Sequence, residues 1–377
     1  MKTVESLSCK GKVIFYRPDY NVPLEGGAIR DDYRISVTFP TLELLMEKGA
    51  RIVIGFHLGR PDGERKPELE TRPVAEYLAD KYENRRVRLA REVADPEVTG
   101  AISEMSEGDM LVLPNLRFYP GEEKNDPVFA RQLADLADLY VNDAFACDHR
   151  AHASTVGVAE LLPAYAGLLV QKEVEMLGSL LEKPESPFVV VMGGAKVSDK
   201  IGVIKKLADQ ADKILVGGAM VNTFLLAKGE DIGASLADKA DVSLATGLMK
   251  DLGDKLVLAA DLVKDESGGK GKFKYLDIGQ KAVEEFQQIL KGAKTIFWNG
   301  SLGYTEDEKY AAGTEAIAGY VAGLKGVTSV VAGGDTVETI SKLNLRDKFT
   351  FVSTGGGAAL EFLAGDALPG IEILNKK

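Results

Sequence analysis

The chain has 377 residues, which exceeds what a single hydrophobic core usually supports, so two domains of ordinary size are expected. Its composition, 45% hydrophobic and 27% charged, is that of an ordinary globular protein. The formal net charge of -11 argues against general binding to nucleic acid or to an anionic membrane surface, because the long-range field would repel both. Any anionic ligand must therefore meet a local concentration of cationic side chains.

The N-terminal sequence and the cysteine count favour a cytoplasmic protein. Residues 1–12 lack an apolar stretch, and the sequence has no run of about 18 or more apolar residues, so we expect neither secretion nor membrane spanning. Cys9 and Cys147 are too few and too far apart in sequence to indicate a disulfide framework or a zinc site. A reducing compartment fits this usage.

In the N-terminal half, short runs rich in Val, Ile, Leu and Phe alternate with stretches of helical period. This alternation is typical of a parallel sheet covered by helices. The predicted strands are 13–16, 52–56, 110–113 and 139–141. The predicted helices are 35–48, 72–81 and 127–136.

The C-terminal half repeats the alternation, so we predict an α/β protein with two doubly wound, Rossmann-like parallel-sheet domains. Its predicted strands are 188–192, 214–216, 256–259, 295–298, 329–332 and 349–353. Between the halves, 167–182 reads as a helix and is followed by the linker-like sequence KPESP. The predicted division is 1–168, a hinge helix and linker at 169–186, and 187–362. The polar, glycine-rich segment 265–274 is predicted to be a surface loop.

Arginine and histidine follow the predicted strands of the N-terminal half. In open α/β sheets ligands bind beyond the carboxyl ends of the strands, and guanidinium groups match carboxylate and phosphate there. Each arginine alone would more often form a surface ion pair, but four strand ends share the pattern. A metal site at His149 and His152 is the alternative for that pair. The residues at these ends are Arg17, Asp19, Asn21, His57, Arg60, Asn115, Arg117, Asn142, Asp143, His149, Arg150 and His152.

Glycine follows the predicted strands of the C-terminal half. Glycine at a strand-to-helix turn lets the backbone approach a phosphate, although a tight turn that needs positive φ is the alternative for any one pair. Neither G-x-x-x-x-G-K-[ST] nor G-x-G-x-x-G occurs. Beside these turns, Lys196 suggests a phosphate-binding cation and Asp335 a magnesium ligand. The turns are Gly193–Gly194, Gly217–Gly218, Asn299–Gly300, Gly333–Gly334 and Gly355–Gly357.

Over essentially its whole length the chain resembles the phosphoglycerate kinase family. The motifs occur in the family's order. They are RPDYNVPL from Arg17, DDYRI from Asp31, HLGRP from His57, NLRFYPGEEKND from Asn115, VNDAF from Val141, HRAHAS from His149, GGAKVSDKIGVI from Gly193, GGAM from Gly217, WNG from Trp298, GGDT from Gly333 and STGGGAALEFL from Ser353.

The resemblance implies a role for individual residues. The implied ligands of 3-phosphoglycerate or the bisphosphate are Asp19, Asn21, Arg34, His57, Arg60, Arg117 and Arg150. The implied ligands of the magnesium nucleotide are Gly194, Lys196, Lys200, Gly217, Gly218, Asn299, Glu306, Gly333, Gly334, Asp335 and Thr336. Among these, Glu306 is expected on the ribose and Asp335 on the metal. The family also implies that the last residues, 363–377, return to the N-terminal domain.

The implied reaction is the reversible transfer of the acyl phosphate of 1,3-bisphosphoglycerate to MgADP, which gives 3-phosphoglycerate and MgATP. The acceptor carboxylate is already ionised at neutral pH, so no general base is needed. The groups expected to surround the transferred phosphoryl group are Arg34, Lys196 and the N–H groups at Gly355, Gly356 and Gly357. A bilobal monomer that closes about the hinge helix is expected, because the two substrates bind different domains.

Several positions depart from the family pattern. They are Pro18, Pro114, Cys147 with Asp148, and Ser301. A carboxylate at Asp148 is expected to orient Arg150 or weaken its hold on phosphate, so that Asp148→Ala changes the KM for 3-phosphoglycerate. Two other functions stay open from the residues alone. One is a bilobal protein that binds an anion without chemistry, and the other is a nicotinamide dehydrogenase.

Overall fold

A computed structural model of the chain describes residues 1–269 and 272–376. The chain forms two compact units: unit 1 comprises Met1–Val174 and Ala367–Lys377, and unit 2 comprises Glu175–Asp366. Each unit is built on a six-stranded sheet, which confirms the predicted α/β class. The predicted loop 265–274 and the predicted returning segment 363–377 include residues 270, 271 and 377, which lie outside the described residues.

The sheet of unit 1 is parallel throughout, with strand order β5-β6-β4-β1-β7-β8. Its strands, with the small antiparallel β2–β3 ribbon, are β1 (Val13–Pro18), β2 (Leu24–Glu25), β3 (Ala28–Ile29), β4 (Arg51–Ile54), β5 (Val87–Leu89), β6 (Met110–Val112), β7 (Leu139–Asp143) and β8 (Ala164–Ala166). Every residue of β1 is buried, as a central strand covered by helices on both faces requires.

Helices of unit 1 cover this sheet. They are Tyr33–Ser36, Phe39–Glu47, Arg72–Lys81, Pro96–Ser103, Pro127–Ala134, Val158–Leu161 and, at the C-terminus, Pro369–Lys376. The single helix predicted at 35–48 is therefore wrong, because the segment forms two helices. Pro40 explains the break: it has no N–H to donate, and its ring would clash with the carbonyl of Ser36, where the first helix ends.

Unit 2 repeats the design with strand order β11-β10-β9-β14-β15-β16, again all parallel. Its strands are β9 (Phe188–Met192), β10 (Lys213–Val216), β11 (Leu256–Leu258), β12 (Leu262–Asp265), β13 (Lys274–Ile278), β14 (Thr295–Asn299), β15 (Thr328–Ala332) and β16 (Phe351–Val352). Its helices are Ile201–Ala208, Met220–Ala227, Val242–Leu252, Gln280–Leu290, Ala312–Gly323, Gly334–Lys342 and Gly357–Ala364. Strands β12 and β13 form an antiparallel hairpin around the predicted loop.

The helix Leu168–Glu182 contains the boundary between the units in the sequence. Its first turn is anchored in unit 1, because Asp143 Oδ1 accepts hydrogen bonds from the backbone N–H groups of Leu169 and Val170 at 3.0 and 3.2 Å. Tyr16 donates to the other oxygen of Asp143 at 2.9 Å. In the described chain, no helix combines the length and apolarity needed to cross a membrane.

Candidate active site

Arg17 lies at the end of β1 and is only 1% exposed. Its Nε donates to Ser154 Oγ at 2.7 Å and its Nη1 to the carbonyl of Pro18 at 2.6 Å. Ser154 in turn donates its hydroxyl and its backbone N–H to the buried Glu122 carboxyl, at 2.5 and 3.0 Å. A buried charge is costly unless it is compensated, so this chain of hydrogen bonds explains how the sheet edge retains a buried guanidinium.

His57, beyond the end of β4, is neutral at neutral pH. Burial, and then the charges of Arg17 and Arg117, lower its pKa well below the usual value. Arg17 Nη2 lies 3.4 Å from His57 Nδ1, and because a guanidinium has no acceptor, Nδ1 must be the unprotonated nitrogen. The Nε2–H of His57 is therefore a hydrogen-bond donor. Burial and neighbouring arginines similarly lower the pKa of His152 to about 3.

Arg117 and Asn21 hold the loop after β4 between them. Arg117 Nη1 donates to the Gly59 carbonyl at 3.0 Å, and the Gly59 N–H donates to Asn21 Oδ1 at 2.8 Å. Arg117 also lies 3.0 Å from Glu123, measured from Nε to Oε1. Burial lowers the pKa of Arg117, and the positive charge of Arg150 lowers it further, because the two guanidinium groups repel each other.

Arg34 forms an ion pair with Asp19, and the charge of Asp19 raises the pKa of the Arg34 guanidinium. Five of the predicted substrate ligands thus lie at one sheet edge. Arg34 pairs with Asp19, Arg117 and Asn21 both bond to Gly59, and His57 is a neutral imidazole. Arg60 follows β4 and Arg150 follows β7, and both side chains are exposed. The predicted residues on this edge are Asp19, Asn21, Arg34, His57, Arg60, Arg117 and Arg150.

A buried trio of Asp19, His57 and Cys147 has ligand atoms within 4.8 Å of one another, and among the described residues it alone has the composition of a metal site. Guanidinium groups occupy these atoms: Arg17 Nη2 lies 3.4 Å from His57 Nδ1 and 3.8 Å from Cys147 Sγ, while Arg34 pairs with Asp19. Burial also raises the pKa of Cys147 to about 12, which keeps it a thiol. The trio therefore belongs to an anion site.

In unit 2, the buried Lys200 side chain donates to Asn299 Oδ1 at the end of β14. Asn299 Nδ2 donates to the Ala332 carbonyl at 3.0 Å, and Thr336 Oγ1 accepts from the Gly300 N–H at 2.8 Å. Burial lowers the pKa of Lys200 to about 8, although the charge of Asp335 acts to raise it. The predicted Lys196 and Glu306 side chains are exposed.

Most glycines after the unit 2 strands fall into two groups; at Gly194, which belongs to neither, an added Cβ would lie 3.4 Å from Lys200 Cε. Five pack so closely that an added Cβ would meet another part of unit 2 at 2.8 Å or less: Gly193, Gly217, Gly218, Gly300 and Gly333. For Gly193 that atom is the Ser301 carbonyl oxygen, at 2.0 Å. Close packing between neighbouring loops therefore accounts for these glycines without any ligand.

The second group faces open space. An added Cβ at Gly334, Gly356 or Gly357 would meet nothing within 4 Å. Two of these residues begin the helices Gly334–Lys342 and Gly357–Ala364. The first N–H groups of a helix have no intrahelical partner and attract anions. An anion can thus reach both of these helix N-termini at the carboxyl edge of the sheet.

Comparison with known proteins identifies the family. Residues 4–366 match the family model described as phosphoglycerate kinase. A phosphoglycerate kinase of Moorella thermoacetica is 46% identical over 391 residues, which cover 100% of this chain and 99% of that protein. The chain belongs to the phosphoglycerate kinase family. A second phosphoglycerate kinase, from Rubrobacter xylanophilus, is also 46% identical over 389 residues, with 100% and 98% of the two chains covered.

Solved phosphoglycerate kinases share this fold. The Coxiella burnetii structure aligns with a TM-score of 0.86 at 36% identity, covering 99% of this chain and 98% of that one. The Pyrococcus horikoshii structure aligns with a TM-score of 0.88 at 30% identity, covering 100% and 98%. The resemblance found in the sequence is confirmed, and with it the class of enzyme, a glycolytic kinase.

The support behind Arg17 was not predicted from the sequence. Arg17 was predicted as the first strand-ending arginine. Glu122 and Ser154 lie in the motifs that begin at Asn115 and His149, but neither had a predicted role, because only the fold brings these two segments together behind Arg17. Asp148 also differs from expectation. Its carboxyl accepts a hydrogen bond from Asn142 at 2.7 Å, and among the described residues it forms no ion pair with Arg150.

Proposed function

We propose that this member of the phosphoglycerate kinase family transfers the acyl phosphate of 1,3-bisphosphoglycerate to MgADP, reversibly, with the glycerate substrate on unit 1 and the nucleotide on unit 2. The observation that carries the assignment is the contrast between the two sheet edges. In unit 1, Arg17 and Arg117 are buried cations and His57 is a neutral hydrogen-bond donor. In unit 2, the edge carries Lys200 and two open helix N-termini.

The unit 1 edge suits a small anion with a phosphate and a carboxylate. Arg117 and Arg34 retain N–H groups beyond those in the contacts described, since each guanidinium carries five. His57 adds a neutral N–H, which binds an oxygen without contributing charge. The acceptor carboxylate needs no base, and the low pKa values of His57 and His152 leave both imidazoles neutral rather than poised as acids.

The unit 2 edge suits the phosphates of a nucleotide. Lys200 is positioned by Asn299, and Gly357 begins a helix whose N-terminus is open to an anion, although the Ala358 N–H already donates to the Gly355 carbonyl at 3.0 Å. Arg34, Lys196 and the N–H groups of Gly355–Gly357 are proposed to stabilise the charge of the transferred phosphoryl group; the Gly355 N–H, which donates to Ser353 Oγ at 3.0 Å, would exchange that partner for a phosphoryl oxygen. Because the two substrates bind different units in this proposal, transfer requires the units to bring donor and acceptor to about 3–3.5 Å, the near-attack distance.

Asp335 is the residue proposed to hold magnesium. Its carboxylate is exposed in the first turn of the helix Gly334–Lys342, and its negative charge offsets part of the lowering of the Lys200 pKa by burial. A single carboxylate combined with phosphate oxygens is a usual donor set for Mg²⁺, so the residues present fit the ion. When bound, magnesium supplies charge neutralisation on the nucleotide phosphates. Glu306 is proposed to bind the ribose.

We further propose that the enzyme acts as a cytoplasmic monomer. A net charge of -11 supports this oligomeric state, because like-charged copies repel one another.

The test is a coupled assay with 3-phosphoglycerate and MgATP. We expect ADP formation that depends on both substrates and is absent with glycerate, which lacks the phosphate. Arg117→Met should raise the KM for 3-phosphoglycerate strongly, whereas the control Arg131→Met, on an exposed helix position that is 58% accessible, should not. ATP turnover that is independent of 3-phosphoglycerate, or binding without turnover, would contradict the proposal.

A further inference from the structure

Asp148 is a fully buried carboxyl that links two parts of unit 1. It follows the short helical turn Phe145–Cys147 and directly precedes His149 and Arg150. Its Oδ1 accepts a hydrogen bond from Asn142 Nδ2 at 2.7 Å. Its other oxygen, Oδ2, is buried and has no hydrogen-bond partner among the described residues. One oxygen of this carboxyl therefore accepts a hydrogen bond, and the other is buried and accepts none from the described residues.

The C-terminal helix, Pro369–Lys376, packs directly on this residue. The Gly370 N–H donates to the Asp148 carbonyl at 2.9 Å. A Cβ added to Gly370 would lie 2.1 Å from Asp148 Oδ1 and 2.9 Å from its Cα, so only glycine permits the contact. Leu368 and Leu374 anchor the same segment in the interior. The end of the chain thus touches the turn that carries Arg150.

The charge on Asp148 is unfavourable in this place. Burial raises the pKa of Asp148 to about 8, despite the hydrogen bond from Asn142 and the positive charge of Arg17. From β7, the negative charge of Asp143 raises it as well. The neighbouring Tyr140 and Cys147 have raised pKa values and stay uncharged, and the C-terminal helix presents Gly370. A carboxyl in this position is best accommodated as the neutral acid.

We propose that Asp148 is a positioning residue for the glycerate site: as a neutral acid it clamps the turn bearing Arg150 against the C-terminal helix, and its ionisation loosens that clamp. The proposal rests on the assignment of the glycerate substrate to unit 1. The physical cause is the buried, partnerless Oδ2, since an ionised oxygen needs hydrogen bonds or water that the described residues around it do not supply. Loosening exposes the carboxylate to solvent and frees the turn.

The sign of the pH dependence follows from proton linkage. With the helix docked, Asp148 titrates near 8, whereas an exposed Asp titrates at about 3.9. The docked state therefore binds the proton more tightly, and docking weakens as the pH rises toward 8. For a single group of this kind, docking weakens by about a hundredfold between pH 6 and pH 9, and levels off at higher pH.

Hydrogen exchange tests the clamp without any substrate. The backbone amides of residues 370–376 in the full chain, corrected for the intrinsic pH dependence of exchange, should lose up to about a hundredfold in protection from pH 6 to pH 9. Asp148→Asn keeps the acceptor for Asn142 and cannot ionise, so its protection should be independent of pH. This measurement does not depend on catalysis, and the wild-type profile is informative even if the variant folds poorly.

Kinetics then test the link to the substrate site. The wild-type KM for 3-phosphoglycerate should rise severalfold from pH 7 to pH 9, and the KM of Asp148→Asn should not. Lys200 titrates in the same range, but its effect falls on the nucleotide KM in both proteins. Gly370→Ala should impose the loosened state at pH 7, while the control Gly100→Ala, with open space around an added Cβ, should behave as wild type.

The outcomes separate this inference from the proposed function. Protection of the C-terminal helix that is equal at pH 6 and pH 9, or that falls identically in Asp148→Asn, overturns the clamp. A normal pH effect on exchange combined with a glycerate KM that Asp148→Asn leaves unchanged overturns the link to the site. Absence of any kinase activity contradicts the proposed function alone, because the exchange result stands by itself.

Discussion

Lys200 should make nucleotide binding sensitive to pH in the mildly alkaline range. Its ammonium is buried and its pKa is lowered to about 8, chiefly by burial. If the nucleotide phosphates require the charged form, the apparent dissociation constant grows as the lysine loses its proton. A group with this pKa is about 90% charged at pH 7 and about 10% charged at pH 9, which predicts about tenfold weaker binding, or about 1.4 kcal/mol.

The assay is calorimetric titration of MgADP into the enzyme without 3-phosphoglycerate, from pH 7 to pH 9. Lys200→Arg keeps its charge and should lose the pH dependence, while Lys200→Met should bind weakly throughout. Lys205→Met, an exposed change on the helix Ile201–Ala208 that Lys200 directly precedes, is the matched control and should follow the wild type. An Arg variant with the same slope as the wild type would refute the assignment, since the titrating group would then lie elsewhere.

Three further substitutions test the division of roles. Arg34→Ala should lower kcat strongly and leave nucleotide affinity nearly intact, as measured by steady-state kinetics; wild-type turnover would exclude its catalytic role. Asp335→Ala should mainly impair the use of the magnesium nucleotide, so an unchanged nucleotide KM and kcat would contradict the proposal that Asp335 binds the metal. Gly357→Ala should fold normally and weaken nucleotide binding, whereas Gly193→Ala should lower the melting temperature, because its methyl would lie 2.0 Å from the Ser301 carbonyl.

The sequence predicted the fold best where a strand is fully buried, because most positions of such a strand must be apolar. The central strand β9 is a continuous buried run, Phe188–Met192, and the predicted bounds match it. The edge strands Val87–Leu89 and Ala164–Ala166 were missed. Each is short, has one neighbour in the sheet and includes residues only partly buried. With fewer contacts to satisfy, such strands leave a weaker pattern in the sequence.

The site was less predictable, because a side chain's partners depend on loops that meet only in the folded unit. Two neighbouring glycines illustrate this. A Cβ added to Gly333 would lie 2.8 Å from Asn299 Nδ2, whereas one added to Gly334 would meet nothing within 4 Å. The sequence alone predicts the same role for both glycines. Asp148 was expected beside Arg150 from its place in the chain, yet its carboxyl turns toward Asn142.

The support for Arg17 explains how an acidic protein keeps a cationic site ready for an anion. Glu122 bonds to Ser154, which bonds to Arg17, so this carboxyl compensates the buried guanidinium without contacting it directly. Arg17 Nη2 therefore remains available to His57. A buried pair of this kind is weak evidence for stability, because desolvation offsets much of the attraction. Its benefit is preorganisation: the donors at this edge are oriented before the substrate arrives, and little reorganisation is left for binding.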